Sequence, residues 1–144
     1  MSLSRVPQWP ERLERWAVAM RGRRFQWGEV DCVLAACEAI EAMTGIDISG
    51  TFRGRYADGG GAASIIAELS ADGLRGAVSR VAENVGCPEI LPALARRGDA
   101  VLVRTLNTEA PESLGICIGA RVLAAGPRGL VSLPMSAAIA AWRI

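Results

Sequence analysis

No histidine occurs anywhere in the 144-residue chain. A thiol or hydroxyl nucleophile is ordinarily activated by an imidazole, which takes its proton and passes one to the leaving group. That partner is missing here. A mixed cysteine–histidine zinc site is missing with it, and the four cysteines, Cys32, Cys37, Cys87 and Cys117, contain no Cys-x-x-Cys pair. No metal centre and no other cofactor is expected. Charge of one sign is equally scarce. Sixteen basic and fifteen acidic side chains leave a net charge of +1, too weak a field to gather nucleic acid or anionic lipid. No stretch approaches the ~20 apolar residues that cross a bilayer, and Met1-Ser2-Leu3-Ser4-Arg5-Val6-Pro7 lacks the apolar core of a signal peptide. The expectation is a chain made in the cytosol with free thiols, having neither membrane nor nucleic acid as a partner.

What is present describes one folded unit spanning residues 1–144, with 51% hydrophobic and 22% charged side chains, enough to bury a core. Pro10 opens a helix running to about Met20, with Leu13, Trp16, Ala17 and Met20 on one face. Residues 21–28 form a loop whose Arg21-Gly22-Arg23-Arg24 cluster reads as a solvated helix end ahead of a phosphate-binding patch. A second helix begins near Asp31, is apolar over much of its circumference and ends at Gly45, predicting a central, buried element. Residues 46–61 are a glycine-containing connection, with Gly59-Gly60-Gly61 read as a flexible turn and not a phosphate loop. Helices follow over Ala62–Leu69 and about Leu74–Val81. From Asp99 the pattern turns to strands: Ala100–Arg104, Leu114–Ile118, Arg121–Ala125, Leu130–Leu133 and a last segment Ala140–Ile144. Helices first and a small antiparallel sheet afterwards predict an α+β domain. Trp27 and Trp142 read as core or cleft-wall aromatics, Trp9 and Trp16 as packing for the first helix, and Cys37, Cys87 and Cys117 as small apolar fillers.

Three motifs fall in order along this pattern. Trp27-Gly28-Glu29-Val30-Asp31-Cys32 places a cysteine at a helix start. Arg97-Gly98-Asp99-Ala100-Val101-Leu102 turns into the first long strand, and Ser113-Leu114-Gly115-Ile116-Cys117-Ile118-Gly119 forms the second. Together they resemble the NlpC-like branch of papain-like cysteine hydrolases, which cut peptide bonds in bacterial cell walls. The resemblance implies a papain-like, NlpC-like domain with Cys32 as the candidate nucleophile, Trp27, Gly28 and Asp31 as motif residues lining the cleft, and Ser113 at the position of the family's catalytic histidine. The orienting polar residue of that family falls near Ala124 or Ala125 here. Over nearly the whole chain, continuing through Gly126-Pro127-Arg128-Gly129-Leu130-Val131 to Ala141-Trp142-Arg143, the sequence is similar to a small family of undefined function encoded in phages, prophages and gene transfer agents. That resemblance implies a tail-region gene, other tail-tip proteins as partners with peptidoglycan as a further one, synthesis in the bacterial cytoplasm and association with the virion.

The chemistry of Cys32 then sets the functional expectation. A helix N-terminus favours a thiolate, and backbone amides there can serve as an oxyanion hole. Asp31 and Glu29 disfavour the thiolate by like charge, and a hydroxyl at Ser113 neither titrates near neutral pH nor carries a positive charge. Three readings follow. The first is a degenerate cysteine hydrolase used as a structural or docking piece of a phage tail, in the tip or baseplate region. The second is an active cell-wall hydrolase in which a carboxylate, Asp31, Glu29 or Asp99, replaces the imidazole. The third is a standalone domain binding a peptide or small ligand in the old cleft. The balance of the residues is against an enzyme.

Overall fold

The structure is a computed structural model, and it describes residues 2–107 and 110–144. Among the described residues four helices, α1 (Trp9–Met20), α2 (Cys32–Thr44), α3 (Gly59–Leu69) and α4 (Gly73–Asn84), precede six strands. The strands are β1 (Glu89–Ile90), β2 (Ala100–Arg104), β3 (Glu112–Cys117), β4 (Arg121–Gly126), β5 (Gly129–Pro134) and β6 (Ala138–Trp142). They form a single sheet in the order β1-β6-β2-β3-β4-β5, with every neighbouring pair antiparallel. The class is α+β, with N-terminal helices laid against a C-terminal sheet.

The central helix shows why the sequence folds this way. Asp31 caps α2, its Oδ1 accepting the Leu34 N–H at 2.9 Å, and Gly45 closes the helix in the left-handed region with φ 78°. This is the pairing of polar N-cap and C-terminal glycine that stops a helix at both ends. Between the caps, Val33, Leu34, Ala35, Ala36, Cys37, Ala39, Ile40 and Met43 are all buried. Small side chains let α2 lie close to β3 and β4 on one side and α1 on the other. The strands alternate accordingly. Leu102, Leu114, Ile116 and Trp142 join the helical core, while Val101, Val103, Cys117, Val122 and Ala141 form a second cluster on the opposite face, as period-two geometry requires. That second face is covered by the single-turn 3-10 segments Pro92–Leu94 and Met135–Ala137 and by Ile90 and Leu133.

Several sequence expectations change. Gly59-Gly60-Gly61 is not a loose turn but the first turn of α3, because the Asp58 side chain caps it from the Gly61 N–H at 2.7 Å. The α4 helix runs on through Asn84, and the two-residue strand β1 was not visible in the pattern. At β3–β4, Gly115 faces Ala124, and a Cβ there would lie 2.7 Å from Val122 Cγ1; the Leu114-Gly115-Ile116 step is a packing requirement. The sheet edges are blunted. β1 has only two residues, while β5 ends in Pro134 and the Arg121 guanidinium holds the Ser132 carbonyl at 3.1 Å, devices that discourage edge pairing.

Candidate functional site

The turn leading into α2 builds the site. Gly28 takes φ +83°, and any Cβ on it would strike the Tyr56 carbonyl, so only glycine allows this loop to meet the α2–α3 connection. Its N–H donates to Asp31 Oδ2 at 3.0 Å. Tyr56 donates its hydroxyl to the same oxygen at 2.6 Å. Asp31 is therefore 1% exposed with its carboxylate shared among Gly28, Leu34 and Tyr56. Burial, and then the bond given to Asp31, hold the Tyr56 phenol well above the ordinary tyrosine range. Tyr56 was missed from the sequence. It is the only tyrosine in the chain, standing in a connection otherwise read as slack, and that solitude was the available signal.

Cys32 is the first residue of α2, partly exposed as a residue. The Leu114 amide and the Ser113 hydroxyl on β3 lie near enough to its thiol to favour the thiolate. The structure thus brings together the cysteine of the first motif and the serine of the third, 81 positions apart by their numbers, 113 − 32. Ser113 is only 8% exposed. The next strand presents Ala124 and Ala125, which offer no polar side chain. The thiol itself is shifted upward. Burial is the largest cause; the Leu114 and Ser113 bonds oppose it, the Asp31 charge adds to it, and the Val33 N–H opposes it. The expected pull of the helix N-terminus towards a thiolate is outweighed by desolvation, so Cys32 is a neutral thiol near pH 7. Glu29 is exposed on the turn.

Of the two places read for Trp27, core or cleft wall, the core is excluded. Trp27 is 36% exposed, meets Phe25 edge-on with ring centroids 4.8 Å apart and lies over Gly59, whose Cβ would sit 3.4 Å from the indole. Trp142, by contrast, is a core residue, its Nε1–H donating to Ser79 Oγ at 3.2 Å. The remaining cysteines are buried fillers, with Cys37 pushed up to about 12 by burial first and by Asp47 second.

Asp99, weighed above as a base, is committed elsewhere. It is 0% exposed. It accepts from Arg5 Nη2 at 2.8 Å, Arg143 Nε at 3.0 Å, the Arg96 N–H at 2.9 Å and the Ile144 N–H at 3.2 Å. Among the described residues no three of histidine, cysteine, aspartate and glutamate gather as metal ligands do, and no helix is long and apolar enough to cross a membrane. A polar groove of about 590 Å³ lies between α3, α4 and β1, lined by Ser70, Arg75, Ser79, Arg80 and Glu89 among others; it does not include Cys32. No curated protein matches the chain. Residues 4–144 match the family described as Domain of unknown function (DUF6950), and the chain belongs to that family.

Proposed function

We propose that this protein is a structural or docking component of a phage or phage-like tail, in the tip or baseplate region, built on the scaffold of an NlpC-like cysteine hydrolase that no longer catalyses. The observation that carries the reading is the environment of Cys32. Its thiol is kept protonated by burial beside Asp31, and the side chain offered to it across β3 is the hydroxyl of Ser113. A hydroxyl cannot accept the thiol proton at neutral pH and return it to an amine, a role that typically contributes ~10²–10⁴-fold in rate. The tail context and the neighbouring tail-tip proteins come from the resemblance of the sequence motifs.

The alternative of a hydrolase with another base is poorly supported by the charges present. The chain has no histidine and no lysine. Asp31 already accepts from three donors, and Asp99 from two guanidinium groups and two amides. The two readings part in one experiment. Mass spectrometry of purified particles is expected to find the protein in the tail fraction, with Cys32→Ala particles equally infectious. Purified protein that cleaves peptidoglycan stem peptides, and loses that cleavage with Cys32→Ala, would refute the docking reading.

A further inference from the structure

The arginines are unevenly engaged. Arg5 and Arg143 pair with Asp99, Arg23 and Arg53 with Glu38, Arg55 with Glu68 and Arg75 with Glu89. Arg21, Arg24 and Arg128 are exposed, and among the described residues their side chains make no ion pair or hydrogen bond. These three belong to one place. The loop after α1 and the turn between β4 and β5 are in backbone contact, the Phe25 N–H donating to the Pro127 carbonyl at 3.3 Å. Gly129 lies so close to Gly22 that a Cβ on it would sit 2.7 Å from the Gly22 nitrogen. Gly22 has φ 75° and Gly129 φ 140°, so both contact points are backbone that a side chain would disturb. Two stretches far apart in sequence are thereby joined, the first carrying Arg21 and Arg24 and the second Arg128. Arg23, within the same loop, is already satisfied by Glu38 at 3.0 Å, so that carboxylate does not neutralise the others.

We infer that this junction is a docking surface for an acidic polypeptide segment, a short run of aspartate or glutamate side chains on a partner protein. The inference rests on the docking reading and supplies its partner chemistry. Guanidinium groups match carboxylates bidentately, and Phe25 and the partly exposed Trp27 follow in the same loop as an aromatic flank of the kind that anchors interfaces. A phosphate polymer fits less well. Nucleic-acid binding rests on a stripe contacting about 6–10 phosphates, whereas the unpaired charge here is three arginines at one loop junction, in a chain of net charge +1.

The test is fluorescence anisotropy at low salt with a labelled octaglutamate peptide, an octaglutamine control and a DNA duplex, on the full-length protein. Octaglutamate is expected to bind in preference to octaglutamine. Arg21→Gln/Arg24→Gln/Arg128→Gln is expected to weaken it about tenfold, the sum of three exposed ion pairs. Arg97→Gln/Arg104→Gln, which removes two exposed arginines elsewhere, should leave binding within about twofold. Wild-type protein indifferent to octaglutamate overturns the inference whether or not the triple variant folds. So does equal weakening by the control variant, and so does a duplex bound more tightly than the peptide and lost in the same triple variant. Particle mass spectrometry reads the tail assignment separately, so a failure of one reading is distinguishable from a failure of the other.

Discussion

At the scale of single residues, burial decides the chemistry of the cysteines. Cys37 has its thiol raised from 9.0 to about 12, so the folded chain holds a proton that the unfolded chain releases. The sign follows from linkage: stability from this group is complete below pH 9, declines as pH rises from there towards 12, and is gone above. The maximal slope is about 1.4 kcal/mol per pH unit for one proton. Urea denaturation of wild type and Cys37→Ala at pH 7, 9 and 10 should show a shallower alkaline decline in the variant. Parallel declines would count against the raised thiol. Cys32 is shifted in the same direction, and its alkylation by iodoacetamide at pH 7.5 is expected to run at least about tenfold slower than that of a free thiol. A rate at or above the free thiol's would mean an activated cysteine and would reopen the hydrolase reading.

At the scale of elements, the start of α2 is a knot tied by one carboxylate. Asp31→Ala removes the cap and leaves the Tyr56 hydroxyl and the Gly28 N–H without their acceptor, so a loss of about 2–4 kcal/mol is expected in chemical denaturation. Tyr56→Phe should cost about 1.5–3 kcal/mol, the worth of a hydrogen bond to a charged group. The two losses should not add, because each variant breaks the same bond; strict additivity would mean that the contact is not made. Much at this scale was legible beforehand. The start of α2 was placed near Asp31 and its end at the Gly45 cap, and Ala100–Arg104 matches β2 to the residue. What escaped notice was governed by contacts between distant segments. The glycines opening α3 have poor helix propensity and are rescued by Asp58. β1 is two residues long and exists because Glu89 and Ile90 pair with Trp142 and Ala141. Trp27, read as a core or cleft-wall aromatic, sits at the surface against Phe25 and Gly59. Within the site, Cys32 and Ser113 were named in advance, while Tyr56 had no periodic or spacing signal to mark it.

At the scale of the whole molecule, Asp99 fastens three parts of the chain together: the N-terminal segment, the turn before β2, and the last two residues, Arg143 and Ile144. Arg5 crosses this point, stacked over Trp9 at 4.3 Å, and its Nε–H also donates to the Ile144 carbonyl at 3.0 Å. Removing a guanidinium from a buried carboxylate leaves charge without compensation, so Arg143→Ala is expected to cost about 3 kcal/mol. Hydrogen exchange should quicken together at Leu3 and Arg143, whose amides bond Val85 and Pro88, while Leu34 in α2 stays protected. Loss of protection at Arg143 alone would show the ends to be independent. The same convergence has a topological side. Because Arg5 and Ile144 touch, a short glycine linker can join them, and the chain can be reopened at the exposed Arg53–Arg55 bend. Such a circular permutant should keep the sheet order and the α2 core.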